Sequence, residues 1–191
     1  MKILLLGPNE PYQNELCDFL ISDGNEVTFK SSKLMKDTQH LDNYDFLVSY
    51  GYRYIISKKV INQFKFMAIN LHISYLPWNR GADPNLWSFI DDTPKGVTIH
   101  KIDEGIDTGD ILVQKKVLFN EDDTLETSYK KLQIEIIDLF KNNWHQIKKN
   151  ECESFKQVDG GTFHKSLESE SIMKSLPYGW KTSVKEIKGL I

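Results

Sequence analysis

Apolar positions along this chain fall into short bursts divided by turn residues, and the spacing within the bursts alternates between strand-like and helical. KILLLG, at Lys2–Gly7, is a continuous apolar run closed by glycine and proline, the pattern of a strand buried on both faces. From Asn14 to Asp23 apolar residues recur at Leu16, Phe19 and Leu20, and Gly24 follows as a stop, which predicts a helix. EVTFK then alternates as a strand. YDFLVSYG and FMAINLH read as two more buried strands, with SKKVINQF between them as a short helix capped by Ser57. Asn85–Ile90 reads as a helix with Pro84 at an early position. KGVTIHKID and ILVQKKVLF are strands flanking the glycine-rich loop EGIDTGDI. Thr124 opens a long helix to about Asn150, apolar at Leu125, Tyr129, Leu132, Ile136, Leu139 and Phe140. Glu121 and Glu126 near its start, and Lys148 and Lys149 near its end, suit the helix dipole.

Strands alternating with helices predict an α/β fold, with a largely parallel central sheet flanked by helices. Residues 1–150 form the expected main domain. From Glu151 the chain turns Ser/Lys/Glu-rich with scattered aromatics, and 151–191 is expected to be loop and short helix packed on the same domain. The length of 191 residues and the 40% hydrophobic content suit one domain with a real core. The formal charge of −3 argues against a broad nucleic-acid-binding face. Cys17 and Cys152 are far apart, and neither a disulfide framework nor a metal spacing can be read from them. The apolar run at the start ends at Gly7, too short for a signal peptide, and no stretch approaches a membrane span. A cytoplasmic protein without a membrane partner is expected.

In parallel α/β sheets, ligands bind beyond the carboxyl ends of the strands. There the segment NLHISYLPWNRGADPNLWSF, Asn70–Phe89, concentrates polar and aromatic residues. Asn70 and His72 are two apart on an extended segment, so both side chains leave one face. Such a pair can donate to an oxygen that becomes an oxyanion in acyl transfer; the plainer alternative is a turn asparagine and a strand-end histidine satisfied locally. DEGIDTGD supplies Asp103, Glu104, Asp107 and Asp110. It fails the EF-hand spacing, and a carboxylate there could orient His72, as in a triad. GPNEPYQNE is not a dinucleotide fingerprint, and no P-loop is present. Thr98 and His100 share a strand face, for which packing or local hydrogen bonding is the default. Trp78, flanked by Pro77 and Asn79, reads as an exposed stacking platform.

These segments resemble the folate-dependent formyltransferases, among them the methionyl-tRNA, glycinamide ribonucleotide and sugar N-formyltransferases. NLHISYLPWNRGADP fits that family's N-x-H-x-S-x-L-P-x-x-x-G pattern, and GVTIHKIDEGIDTGDIL fits its aspartate- and glycine-rich segment in order and separation. The resemblance implies a Rossmann-like formyltransferase domain with 10-formyltetrahydrofolate as formyl donor and no metal. It implies Asn70 and His72 as holders of the formyl oxygen, with Asp107 paired to His72. It further implies folate-binding loops at GYRYII and KIDEGID, with Tyr52, Arg53, Ile55, Asp103 and Glu104 as their residues. The wording PWNRGADPNLW, with GGTFHK and LPYGW in the tail, is most similar to the amino-sugar branch.

The acceptor expected from that resemblance is the amino group of a nucleotide-linked amino sugar destined for a surface glycan. Trp78, Asn79 and Arg80 would line the acceptor mouth, with Arg80 either meeting a diphosphate or holding the turn's own carbonyls. Tyr12, Tyr75, Trp87, Phe163, Tyr178 and Trp180 are further candidates that the sequence does not rank. About 40 residues after the long helix are too few for the tRNA-binding barrel of methionyl-tRNA formyltransferases. An aminoacyl carrier protein and glycinamide ribonucleotide stand as alternative acceptors, a folate- or nucleotide-binding module as the non-enzymatic alternative, and a homodimer is compatible with all of these. Leu76–Pro77, where the chain must turn sharply, is a candidate cis peptide that the resemblance favours.

Overall fold

The computed structural model describes residues 1–34, 40–64 and 66–188. Its centre is a six-stranded sheet in the order β2-β1-β3-β4-β6-β7. The strands are β1 (Lys2–Leu6), β2 (Glu26–Lys30), β3 (Phe46–Tyr50), β4 (Met67–His72), β6 (Gly96–Lys101) and β7 (Ile111–Lys116). β2, β1, β3 and β4 run parallel, whereas β6 is antiparallel to both of its neighbours. The unbroken apolar runs explain the central positions. All of β3 is buried, and so is β1 after Lys2, while the alternating EVTFK lies at the edge as β2.

Strand alternation sends odd and even residues to different helices. Ile3, Leu5, Phe46, Val48, Ile69 and Leu71 pack on α1 (Pro11–Ser22) and α4 (Leu125–Lys148) through Leu16, Leu20, Ile136, Phe140 and Trp144. Leu4, Leu6, Leu47 and Ala68 face the other way, onto Val60 of α2 (Lys58–Ile61) and Phe64. By the same alternation Asn70 and His72 leave β4 on the α2 face. α1 begins at Pro11, earlier than its apolar spacing suggested, because proline is pre-set for the first helical position. Thr124 caps α4: its hydroxyl accepts from the Thr127 N–H at 3.2 Å, and Thr127 Oγ1 accepts from the Thr124 N–H at 2.9 Å. Ser57 does occupy the N-cap position of α2, but its side chain makes no capping bond; in a helix of four residues its backbone carbonyl does the work, accepting from Val60 and Ile61.

The tail is more regular than its composition suggests. It forms β8 (Phe163–His164), α5 (Ser166–Ser175) and α6 (Val184–Lys188). β8 pairs with β5 (Arg80–Gly81). Leu176, Val184 and Ile187 join Leu86, Phe89 and Ile90 of α3 (Pro84–Ile90) in a second apolar cluster. The Leu76–Pro77 peptide is cis, as expected. Among the described residues no helix is long and apolar enough to cross a membrane.

The core assignment can be tested by paired substitutions. Ile136 is 0% exposed and Leu118 84% exposed. Ile136→Ala is expected to cost about 2–5 kcal/mol in urea unfolding, and Leu118→Ala to stay within about 0.5 kcal/mol of the parent.

Candidate active site

β4 and β6 place the polar residues of the site. Their antiparallel register sets Asn70 opposite His100 and His72 opposite Thr98. The loop after β6 then folds back so that Asp107 reaches both strands. Asp107 adopts a left-handed φ of 54°, a conformation that aspartate tolerates better than most residues. Gly109 permits the return: a Cβ there would stand 1.8 Å from the Lys101 carbonyl oxygen.

Asp107 is the hub. Its Oδ1 accepts from Asn70 Nδ2 at 3.1 Å and lies 3.4 Å from His100 Nε2. Its Oδ2 accepts from the Gly81 N–H at 2.9 Å and lies 3.7 Å from His72 Nδ1. Burial by itself pushes this carboxyl pKa up. The His72 and His100 rings and the Gly81 N–H outweigh burial and hold it well below the usual carboxylate range.

The histidine protons follow from their partners. His72 Nε2 faces the Asn79 carbonyl at 3.1 Å, and a carbonyl only accepts, so this nitrogen carries hydrogen. Nδ1 is therefore the ring nitrogen left to face the Asp107 carboxylate. At 3.7 Å the separation is longer than the direct hydrogen bond of a triad. His100 Nδ1 likewise donates to the Lys101 carbonyl at 2.8 Å, and its Nε2 lies 3.3 Å from Asn70 Nδ2 and 3.4 Å from Asp107 Oδ1. The Asn70 amide nitrogen thus sits against both Asp107 and His100 and fixes the carboxylate. His100, whose default reading was packing, is a member of the cluster. The strand face it shares with Thr98 was legible; its register with Asn70 was not.

The segment expected to line an acceptor mouth divides. Asn79 is a correction, being 0% exposed. Its Nδ2 donates to Thr93 Oγ1 at 2.8 Å, and its Oδ1 accepts from Thr162 Oγ1 at 3.1 Å. It belongs to the framework that holds His72. Trp78 is half-buried and Pro77 buried, so this turn is less exposed than its composition suggested. Arg80 directs Nε and Nη2 to Gln157 Oε1 at 3.0 and 2.8 Å. Gln157 in turn donates to the Asp107 and Gly109 carbonyls at 2.7 and 2.9 Å. The tail therefore ties the Arg80 strand to the Asp107 loop, a role that no sequence signal marked. A cleft of about 290 Å³ opens there, lined by Arg80, Thr108, Asp110, Lys156, Gln157 and Asp159.

The two loops expected to hold folate lie together, joined by a Lys58–Glu104 ion pair at 2.6 Å. Each exposes an isoleucine, Ile55 and Ile106, a surface that suits a flat heterocycle. Asp103 shapes its own loop, accepting from Gly105 N–H and Thr108 Oγ1. Tyr52 is a correction in part: its hydroxyl accepts from the Leu34 N–H at 2.8 Å and donates to the Ser32 carbonyl at 3.1 Å. Arg53 is exposed. Among the described residues no cluster of His, Cys, Asp and Glu is arranged to hold a metal ion.

The chain is similar to known proteins of one family. A protein-family model for formyl transferases matches residues 22–138. The structure superposes with a TM-score of 0.91 on the formyltransferase PseJ from Anoxybacillus kamchatkensis, which is 50% identical. That match covers 98% of this chain and 97% of the other, which was solved with UDP-4,6-dideoxy-4-formamido-L-AltNAc and tetrahydrofolate. A 4-N formyltransferase from Francisella tularensis is 25% identical with a TM-score of 0.77, over 90% of this chain and 79% of that one. A methionyl-tRNA formyltransferase from Prochlorococcus marinus subsp. pastoris is 32% identical over 75% of this chain and 45% of its own length. The chain spans about half or less of the curated relatives it matches first.

The depressed Asp107 pKa has a consequence for stability. Because the folded value lies below the unfolded one, the contribution is complete above the ordinary carboxylate value of about 4 and is lost as pH falls toward the folded value. Asp107→Asn should therefore be less stable than the parent near pH 6, and the gap should narrow on acidification below about pH 4. Urea unfolding of both proteins at several pH values checks this; a gap that widens in acid would contradict the assignment.

Proposed function

The chain belongs to the formyl transferase family, and from that premise we propose that it transfers a formyl group from 10-formyltetrahydrofolate to the amino group of a nucleotide-linked amino sugar. The observation that carries the reaction class is the meeting of Asn70, His72 and Asp107 around one carboxylate. The likeness to the Anoxybacillus enzyme, whose structure holds a UDP-linked formamido sugar beside tetrahydrofolate, supports the acceptor class. Both cysteines are free thiols, which fits a cytoplasmic setting.

When bound, the folate supplies an activated formyl carbon. The exposed isoleucines and backbone of the loops at 51–56 and 102–107 would hold its ring system. The chain's own groups then manage protons and charge. His72 Nδ1, neutral, takes the proton that an attacking amine must lose. Asp107 stabilises the imidazolium so formed, and that imidazolium is the donor able to return the proton to a departing nitrogen. The same N–H, with the Asn70 amide, would meet the charge that gathers on the formyl oxygen. The Asn79 carbonyl keeps the ring in the tautomer this requires. Asn70, His100 and the Gly81 N–H keep the carboxylate ionised and aimed.

His72→Asn should lower kcat by roughly 10²–10³-fold, the cost of one oxyanion donor, and by more if the proton role is lost as well. Asp107→Asn should be comparably severe. Near-normal turnover in either folded variant would sink the mechanism. The acceptor is tested by competition among UDP- and dTDP-linked amino sugars, glycinamide ribonucleotide, methionyl-tRNA and an aminoacyl carrier protein, with 10-formyltetrahydrofolate as donor. Preferred turnover of any of the last three would overturn the sugar assignment.

A further inference from the structure

A second group of side chains lies outside the catalytic cluster. Tyr178 precedes the single turn Gly179–Lys181 in the tail and Trp180 lies within it, at 66% and 46% exposure. Trp180 meets the half-buried Tyr129 of α4 edge to face, with ring centroids 5.4 Å apart and planes at 72°. With Glu126 and Lys181 these three rings line a cleft of about 550 Å³. Folding does not account for their exposure, because the same stretch of tail buries Leu176, Val184 and Ile187 in an apolar cluster. An edge-to-face pair leaves a notch in which a flat ring can lie on one face and meet the other's edge.

The position of the notch identifies what would enter it. β6 is antiparallel to β4, and β7 to β6, so β7 runs with β4 and α4 begins at the carboxyl edge where β4 delivers His72. α1 begins at that edge too, after β1. Gln133, one turn along α4 from Tyr129, accepts from the hydroxyl of Tyr50, the last residue of β3. The notch therefore sits on the α1–α4 side of the edge and the catalytic cluster on the α2 side. A nucleotide-linked amino sugar has a flat base at one end and its amine at the other, and it can span such an edge. Lys181 and Glu126, the latter paired with Lys130 at 2.6 Å, put polar groups at the rim for the base's edge.

We infer that Tyr129, Tyr178 and Trp180 form the stacking platform for the base of the nucleotide-linked acceptor, an inference that rests on the function proposed above.

The test measures UDP binding by calorimetry to the parent protein, Trp180→Ala, Trp180→Phe and Tyr178→Ala, with circular dichroism as the check on folding. UDP alone should bind the parent and quench its tryptophan fluorescence. Trp180→Ala should weaken binding by roughly 10- to 100-fold, the usual loss for one base-stacking ring. Trp180→Phe should recover most of it, and Tyr178→Ala should lie between. With a UDP-linked amino sugar and 10-formyltetrahydrofolate, KM should rise with kcat within about twofold, since the platform touches no reacting atom. Parent-like UDP binding in both folded alanine variants, with formyl transfer intact, would overturn the platform and leave the acceptor assignment standing. A parent protein that neither binds UDP nor formylates any nucleotide-linked amino sugar would overturn both.

Discussion

A carboxylate that gives up its water must be met by hydrogen bonds and positive charge, and here that requirement falls on Asp107. Its side chain is 12% exposed. Two strands, a two-residue ladder and a return loop converge to satisfy it: Asn70 and His72 from β4, His100 from β6, the Gly81 N–H from β5. Asn70, His72 and Gly81 all lie 26 or more residues from Asp107 in sequence. Removing the carboxylate leaves two histidines and an amide without their common partner. Removing one of them leaves a buried charge short of a donor. Such networks constrain geometry more tightly than apolar packing does, because each bond has a direction as well as a distance.

The sheet is arranged to make that convergence available. Parallel pairing from β2 to β4 buries the apolar runs on both faces and brings β4 out at the carboxyl edge. The reversal at β6 then matters for chemistry. It sets His100 against Asn70 and lets the following loop turn back over the face that Asn70 and His72 present. Alternation does the sorting: Ile69 and Leu71 go to α1 and α4, while the polar pair between and after them goes to the other side.

The tail belongs to this arrangement although its composition reads as a surface appendage. Gln157 holds both the Arg80 guanidinium and the carbonyl of Asp107, and Thr162 holds Asn79, whose own carbonyl fixes His72. Gly161 lets this stretch close: with φ of 87° it approaches the Pro77 carbonyl so nearly that a Cβ would stand 2.1 Å from it. Farther along, the same tail leaves Tyr178 and Trp180 in solvent beside α4. The tail thus supports the face that carries Asp107 and contributes to the opposite one.

The sequence by itself determined what depends on local period and local chemistry. Apolar runs and their spacing marked the main strands and helices, because burial on one or two faces repeats every two or 3.6 residues. Thr124 was legible as a cap, since a cap answers to donors three residues away. Asn70, His72 and Asp107 were legible as candidates because of the motifs that carry them. Tertiary structure decided everything that depends on register and on residues far apart. It brought His100 into the cluster, because only strand pairing puts it opposite Asn70. It withdrew Asn79 from the acceptor mouth and tied up the Tyr52 hydroxyl, because burial and long-range partners have no local signature. It gave Gln157 its task across 50 residues of chain, and it set Trp180 against Tyr129. Those contacts follow from how the chain closes on itself, and a one-dimensional pattern does not encode that closure in any single segment.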